Sequence, residues 1–220
     1  AAYNADMRRQ GLVSLEEAER LMGFCSNSGP AFLVGSIGAG VFGSARLGVG
    51  LYIIHVLAAA ITGLFFRVDG KCRGNAPAAP RESGGALIES VRQAAQSILS
   101  VCGFIVCFCV IIGLLDAHGM FSLLAGQLAQ ITGLELHAAR AALSGFLELG
   151  SGIGAMRGLA VSPANLAIAA GIVGWGGISV HFQTYAVLAD SDIKGGLHLA
   201  GRLINCAVSA ALGYIFGLLL

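Results

Sequence analysis

Long apolar stretches separated by short polar ones run along the whole chain, and this pattern predicts a set of helices. A helix needs about 20 residues to cross a bilayer. The segment Met120–Thr132 is too short to cross, and its two glutamines favour a helix lying at the membrane interface. Five segments are long and apolar enough to be predicted as crossings: residues 14–43, 47–66, 86–115, 163–190 and 197–220.

Two of these segments contain residues that interrupt a helix. Residues 24–30 of the first segment end in Gly29 and Pro30, and proline cannot donate the backbone hydrogen bond that a helix requires. The second segment is interrupted at residues 174–177, which include three glycines. Within lipid, the freed backbone groups must be satisfied by protein, water or a ligand, so a broken helix usually lines a site.

Residues 137–157 predict a third interrupted unit, a re-entrant helical hairpin with a Gly/Ser tip within residues 145–153. Glu148, beside this tip, is the single acidic residue in its apolar run. A carboxylate at mid-membrane costs about 2.5–3.5 kcal/mol on insertion scales, so it normally faces a cavity or a partner. Two roles stay open for Glu148: part of a solute or ion site, or an ion pair or cap within the hairpin.

Composition indicates whether these helices fold in water or in lipid. Hydrophobic residues make up 56% of the 220 residues and charged residues 11%, whereas soluble domains carry about 25% charged residues. Glycine, at 33 residues, suits close helix packing in lipid. The chain is therefore predicted to be an all-α integral membrane protein surrounded by the lipid bilayer. Its net charge of +1 gives no reason to expect nucleic acid as a partner.

No enzymatic activity is predicted, because the sequence contains no nucleophile elbow, Walker loop or HExxH motif. No cofactor is predicted either. Cys107 and Cys109 are two residues apart on a helix and point to different faces, which disfavours a metal site. His55 lies inside an apolar segment without formal charges, where it is either a packed, hydrogen-bonded residue or part of a proton relay.

Two parts of the chain share an order of features. Residues 7–24 and 156–175 each contain an arginine, a turn, a serine helix cap, a short helix and a glycine–aromatic pair before the break. The caps are Ser14, with Glu17 completing a capping box, and Ser162. An odd number of crossings separates the two starts, which places them on opposite sides of the membrane. The chain is therefore predicted to contain an inverted repeat, the architecture typical of secondary transporters.

A linker rich in proline, glycine and basic residues is predicted at residues 67–85. Residues 1–66 are then the end of a first repeat, and residues 86–220 form the second. The crossings place ten basic residues on the linker side and three on the other, so the linker is predicted to be cytoplasmic. The ten are Arg8, Arg9, Arg20, Arg67, Lys71, Arg73, Arg81, Arg92, Lys194 and Arg202, and the three are Arg46, Arg140 and Arg157.

The candidate site combines the two breaks with the hairpin. A helix beginning near Pro30 presents free N–H groups and a positive dipole end, which favours an anion by roughly 0.3–1 kcal/mol and orients it. His181 and Gln183 follow the second break but diverge by about 200° on a regular helix, so one of them is expected to face the cavity. The candidate solute-binding residues are Asn27, Ser28, Gly29, Glu148, Ser151, Gly152, Gly176, Gly177, Ser179, His181 and Gln183.

Three motifs in order, at residues 17–32, 147–153 and 174–183, resemble the YlbJ-type sporulation integral membrane proteins. These proteins are placed in the nucleoside-recognition, or Gate, domain group, which is similar to concentrative nucleoside transporters. The resemblance implies transport of a small organic solute during endospore formation, with the aromatic dianion dipicolinate as the leading candidate. Family members usually have threonine where this chain has Gly150, which removes a candidate hydroxyl ligand.

The resemblance also implies that the chain is a fragment, because family members are much longer and carry another hairpin before the point where this sequence starts. Two alternatives stay open. One is a nucleoside transporter-like protein. The other is a non-transporting Gate-type subunit of a spore-maturation complex, assembled as a homo-oligomer or with a partner Gate protein. The sequence does not identify the coupling ion, Na⁺ or H⁺.

Overall fold

The computed structural model describes residues 2–67, 86–189 and 191–220. Apart from Arg67, the predicted linker 67–85 lies outside the described residues, as does Asp190. The described ranges hold helices and no strand. In chain order the helices are α1 (Ala2–Arg9), α2 (Leu15–Phe24), the π-helix π1 (Ala31–Ala39), α3 (Ala45–Phe65), α4 (Ala86–Ala117), α5 (Met120–Thr132), α6 (Leu136–Leu147), α7 (Leu149–Ala155), α8 (Pro163–Trp175), α9 (Gly177–Leu188) and α10 (Gly196–Leu218).

Four of the described segments are long and apolar enough to cross a membrane, and they match four of the five predicted crossings. Together with the helical fold they confirm an all-α integral membrane protein. The fifth, residues 14–43, is divided into α2 and π1, which have 10 and 9 residues. Its crossing stays a prediction, as do the inverted relation of the repeats and the interfacial placement of α5. The four segments that are long and apolar enough to cross a membrane are Ala45–Phe65, Ser90–Ala117, Pro163–Leu188 and Gly196–Leu218.

Serine caps begin the two helices that lead into the breaks, as predicted. Ser14 Oγ accepts a hydrogen bond from the Glu17 N–H at 3.2 Å, and the Ser14 N–H donates to Glu17 Oε2 at 2.8 Å. Ser162 Oγ accepts from the Asn165 N–H at 3.2 Å, with Pro163 in the first turn. A cap of this kind contributes about 1 kcal/mol, so it fixes where α2 and α8 begin and hence where each reaches its break.

Close packing of α8 against α10 forms the centre of the molecule. A Cβ on Gly213 of α10 would lie 2.7 Å from the Leu166 carbonyl oxygen, and one on Gly217 would lie 2.5 Å from a backbone atom of α8. Side chains do not fit at such distances, so this glycine pair lets the two backbones approach. Gly201 of α10 meets the backbone of Gly23 in α2 in the same way. The first broken helix is therefore held against α10.

The second half of the first broken helix is a π-helix, which the hydrophobic pattern does not predict. The Gly40 N–H donates to the Gly35 carbonyl at 2.9 Å, and the Phe42 N–H donates to the Ile37 carbonyl at 3.1 Å. Each of these bonds spans five residues instead of the four of an α-helix. Because π-helical turns occur frequently at functional sites, this geometry favours a functional role for the break that precedes π1.

The hairpin forms, and its turn lies within the predicted stretch, at Glu148 and ahead of the Gly/Ser residues. The chain turns at Glu148, whose backbone is extended with φ −143° and ψ 122°. Gly150, Ser151 and Gly152 consequently lie within α7. Gly152 contacts the backbone of Gly145 in α6, so it packs the two arms together. The turn lies at Glu148 because this residue ends α6 and also caps α7.

Candidate functional site

The two breaks lie against each other around a cavity of about 300 Å³. The first break supplies residues 25–28, and the second supplies Gly176. The hairpin contributes Leu149, and α10 contributes Arg202. The structure thus gathers both breaks and the hairpin at one place. The lining residues are Cys25, Ser26, Asn27, Ser28, Leu149, Gly176, Val180, Thr184 and Arg202.

Arg202 brings a buried positive charge to this cavity, with 3% of its surface exposed. Its Nε donates to the Trp175 carbonyl at 3.1 Å and its Nη2 to the Val173 carbonyl at 2.8 Å, both at the C-terminal end of α8. Its Nη1 donates to the Ser26 carbonyl in the first break at 2.6 Å. The guanidinium therefore links the two breaks, and the negative end of the α8 dipole stabilises its charge.

The burial of Arg202 corrects the orientation argument, which counts this residue among the basic side chains on the linker side. A side chain bonded to three carbonyl groups inside the helix bundle is not available to a membrane surface. A sequence signal for it exists: Arg202 is the single Asp, Glu, Lys or Arg within residues 197–220. An ionisable residue inside an apolar crossing is by default a candidate for function.

At the first break, side chains satisfy backbone groups that the helix has released. The Ser28 N–H donates to His55 Nε2 at 3.0 Å, so His55 is a hydrogen-bonded residue of the break. This contact places the His55 proton on Nδ1, which has no partner among the described residues. The exposed Asn27 donates from Nδ2 to the Phe24 carbonyl at 2.9 Å. Gly29 is exposed at the edge of the break.

In the hairpin, Glu148 is 3% exposed and caps α7 with both carboxylate oxygens. Oε1 accepts from the Gly150 N–H at 2.8 Å, and Oε2 accepts from the Ser151 N–H at 2.6 Å. Ser151 Oγ lies 3.4 Å from Cys109 Sγ. These contacts show the capping role that the sequence left open, while a role for Glu148 in solute binding stays a prediction.

The second break depends on two glycines with left-handed backbone conformations. Gly176 has φ 89° and Gly177 has φ 82°, values that favour glycine over any residue with a Cβ. A Cβ on Gly176 would lie 3.1 Å from Arg202 Nη2, and one on Gly177 would lie 2.9 Å from the Leu149 nitrogen. Glycine at these two positions allows the chain to turn. Because it lacks a Cβ, it also leaves room for Arg202 and the hairpin to pack against the break.

Three predicted residues of α9 do not line the cavity between the breaks and have other partners. Ser179 Oγ accepts from Gln183 Nε2 at 3.1 Å, and Gln183 lines a separate cavity of about 440 Å³ between α1, α4 and α9. His181 is buried, and its Nδ1 lies 3.1 Å from Nε2 of His198 in α10. His181 and Gln183 therefore have different surroundings, as their spacing predicts.

The cavity thus includes three predicted residues, namely Asn27, Ser28 and Gly176. Two further lining residues that the sequence reasoning misses, Val180 and Thr184, follow Gly176 at steps of four, which places them on one helix face. That spacing was the signal for them. The remaining predicted residues lie at the edge of the break, in the hairpin or in α9, with the surroundings given above: Gly29, Glu148, Ser151, Gly152, Gly177, Ser179, His181 and Gln183.

Comparison with known proteins shows that this chain is similar in sequence to a sporulation protein. The chain is 29% identical to the sporulation integral membrane protein YlbJ of Bacillus subtilis (strain 168) over an alignment of 241 positions, which covers 96% of this chain. The chain spans 58% of that relative's length. No family model matches the chain, and no solved structure matches it. The similarity to YlbJ-type sporulation integral membrane proteins that the three motifs predict is therefore confirmed over nearly the whole chain.

Proposed function

We propose that this protein carries a small anionic organic solute across a membrane during sporulation. The observation that carries the proposal is Arg202, a charge buried at the junction of the two breaks with no acidic partner in the described part of the chain. Buried charges in membrane proteins normally pair with an opposite charge or mark the path of a solute. An anionic solute supplies the compensating charge when it binds.

Arg202 keeps donor capacity for such a solute. A guanidinium carries five N–H groups, and three nitrogens of Arg202 each donate once to a carbonyl oxygen. One N–H on each Nη nitrogen is left over, and the planar arrangement of these groups suits a carboxylate. Asn27, Ser28 and Thr184 add neutral polar groups to the same cavity. The site therefore combines one charge with several uncharged donors and acceptors.

The first break adds a weaker preference for anions. The helix π1 begins shortly after the cavity-lining residues 25–28, and no side chain caps its N-terminus. A helix N-terminus favours an anion by about 0.3–1 kcal/mol, whereas a hydrogen bond to a charged group contributes about 1.5–3 kcal/mol. Arg202 is therefore expected to dominate affinity, and π1 to orient the solute.

Dipicolinate, an aromatic dicarboxylate, is the solute that the family resemblance suggests. A cavity of about 300 Å³ is at the small end of ligand pockets, which suits a solute with a single ring. A nucleoside is uncharged and leaves the charge of Arg202 uncompensated, so the burial of this residue favours the dicarboxylate. The third alternative, a non-transporting Gate-type subunit, predicts that no solute crosses at all.

The test is uptake of labelled dipicolinate and labelled nucleosides by the complete protein reconstituted in liposomes. We expect dicarboxylate uptake, and we expect Arg202→Gln to reduce it by roughly 10–100-fold, the equivalent of one charge-assisted hydrogen bond. Arg140→Gln is the matched control, because Arg140 is partly exposed and bonds to Asp116 and Ser122 away from the cavity. Its uptake is expected to match the wild type.

A second variant separates binding from folding, because Arg202→Gln also frees three carbonyl oxygens. Asn27→Ala removes an exposed cavity side chain whose one described bond is local, and we expect a roughly 2–10-fold loss of uptake, as for one neutral hydrogen bond. Unchanged uptake in both variants contradicts the proposed site. Nucleoside uptake without dicarboxylate uptake supports the nucleoside alternative, and no uptake of either supports the Gate-type subunit.

A further inference from the structure

A chain of hydrogen bonds through two buried histidines connects the second broken helix to the first. His181 in α9 is 4% exposed, and His198 in α10 is 0% exposed. His181 Nδ1 lies 3.1 Å from His198 Nε2, and His198 Nδ1 lies 3.2 Å from the Met22 carbonyl oxygen near the end of α2. The pair therefore joins α9, α10 and α2 at the level of the breaks.

The bonding partners determine which nitrogens carry hydrogen. A carbonyl oxygen only accepts, so His198 Nδ1 must donate to Met22. With His198 neutral, its Nε2 has a free lone pair and accepts from His181 Nδ1–H. With His181 also neutral, its Nε2 carries a lone pair and no hydrogen. The hydrogen bonds thus run in one direction, from His181 to His198 to Met22.

The chain ends at an unsatisfied basic atom. His181 Nε2 is buried and has no partner in the described part of the chain. Burying a polar atom without a hydrogen bond is costly, and this atom is the one at which the pair gains a proton. A proton on Nε2 makes His181 an imidazolium, which can pass its Nδ1 hydrogen to His198 Nε2. The two rings share one added proton, because two imidazolium groups at this distance repel each other.

The surroundings of the pair carry a charge that couples it to the cavity. Arg202, one helical turn after His198, is the charged side chain that acts on both imidazoles, and its positive charge opposes an added proton until an anion offsets it. Tyr185 of α9 has its ring centroid 6.3 Å from that of His198, and α2 contributes the Met22 carbonyl. His55 of α3, which accepts from the Ser28 N–H in the first break, is also within the electrostatic influence of Arg202. Glu148, beside the second break, is already bonded to two N–H groups.

We propose that the His181–His198 pair binds the proton of a proton-coupled transport cycle, one proton for each solute molecule. The proposal rests on the proposed function, since it identifies the ion that drives the same site. A proton on the pair adds a second positive charge beside Arg202 and so favours an anion in the cavity. By linkage, the anion raises the proton affinity of the pair by the same factor. Solute and proton then bind together and leave together.

The pair also lies where a transport cycle requires a coupling element. It joins α2, which leads into the first break, to α9, which leaves the second break, and to α10, which carries Arg202. A change in its hydrogen bonds therefore reaches both broken helices. Coupling free energies between two sites typically change affinity by about 5–150-fold, which sets the size of the effect to look for.

The first measurement follows solute and protons together in liposomes that contain the complete protein and a trapped pH-sensitive dye. We expect dicarboxylate uptake to carry protons inward and to accelerate when the outside is acidified. His181→Gln, which keeps a polar side chain that does not titrate, should abolish proton uptake and the pH dependence of solute uptake. His137→Gln is the matched control, because His137 is exposed at the start of α6. Solute uptake without proton movement in the wild type, or unchanged proton uptake in His181→Gln, overturns the proposal.

The second measurement determines the protonation state of the histidine pair under conditions in which no transport takes place. It uses imidazole ¹⁵N chemical shifts of the complete protein in lipid nanodiscs, with and without dipicolinate. We expect the pair to gain one proton as the sample is titrated from neutral to acidic pH, and to gain it at higher pH when the anion is present. A pair that stays neutral over this range overturns the assignment whatever the uptake. A pair that titrates in a protein that carries no anion supports the proton site and contradicts the proposed function. Thermal unfolding shows whether the His181→Gln protein is folded. The same measurements on His198→Gln test the other histidine of the pair.

Discussion

Two side chains of opposite charge are buried close to the second break, and neither forms an ion pair in the described part of the chain. Glu148 accepts from two N–H groups at the start of α7, and Arg202 donates to two carbonyl groups at the end of α8. Each charge therefore faces the helix end whose partial charge is opposite to its own. A helix end carries a partial charge of roughly half a unit, so the backbone stabilises both buried residues without supplying a full opposite charge.

Replacing Glu148 separates its capping role from a role in solute binding. Glu148→Ala removes the acceptor for the Gly150 and Ser151 N–H groups and should lower the free energy of unfolding by about 0.5–2 kcal/mol. Glu148→Ser keeps an N-cap acceptor but removes the charge, so it should retain most of that stability. Thermal unfolding in detergent measures both variants.

The uptake assay then decides the role of Glu148. If this carboxylate only caps α7, Glu148→Ser carries dipicolinate at the wild-type rate. If it takes part in the solute or ion site, as its place in an apolar run suggests, the folded Glu148→Ser protein loses uptake. A variant that unfolds despite its serine cap contradicts the view that local capping is the main contribution of this residue to stability.

On the surface, the ion pair between Arg8 and Asp192 makes a small contribution that depends on pH. Arg8 Nη2 lies 2.7 Å from Asp192 Oδ2, and this hydrogen bond holds the pKa of Asp192 below its usual 3.8. A carboxyl group whose pKa is lower in the folded state stabilises the fold above its usual pKa and loses that effect as the pH falls through the folded-state value. Arg8→Ala should therefore destabilise slightly at neutral pH and have no effect in strong acid. Thermal unfolding at the two pH values, with Arg46→Ala at an exposed arginine as control, measures this, and a penalty that persists in acid excludes the pair as its cause.

At the scale of helices, close approach through glycine positions the site. Gly213→Ala places a Cβ 2.7 Å from the Leu166 carbonyl oxygen, so α10 must move away from α8, and Arg202 moves with it. We expect a loss of about 1–3 kcal/mol, as for other overpacked contacts, measured by unfolding in detergent or bicelles. Gly103→Ala in α4 is the matched control, because a Cβ there meets nothing within 4 Å. Equal effects of the two substitutions exclude packing as the reason for the glycine.

Elements with local determinants follow from the sequence, and contacts between distant residues do not. The serine at position 14 and that at position 162 cap helices through neighbours three residues away, and Gly176 ends α8 through its own backbone conformation. By contrast, the bonds from Arg202 to Ser26 and from His198 to Met22 each join residues 176 positions apart. No local pattern contains such a pairing, so the sequence marks Arg202 as a lone charge in its crossing but does not show that it bonds to the first break.

For the whole molecule, the surface itself argues for a membrane. Large apolar side chains are exposed along α4, among them Ile98 at 63%, Leu99 at 72% and Val106 at 61%. Contiguous apolar surface of this kind is unfavourable in water and favourable against lipid or another apolar partner. Together with four helical segments of sufficient length, this surface supports a membrane location for the helix bundle.

An inverted repeat makes a definite prediction about sides of the membrane. Leu12 and Val161 precede the serine caps of the two broken helices and are almost equally exposed, at 44% and 46%. Because an odd number of predicted crossings separates them, a cysteine at position 12 should face the cytoplasm with the basic linker, and a cysteine at position 161 should face the opposite side. In cells that produce the complete protein without native cysteines, an impermeant maleimide should label Val161→Cys directly and Leu12→Cys only after permeabilisation. Labelling of both from the same side excludes the inverted repeat, and with it the pairing of the two breaks from opposite faces of the membrane.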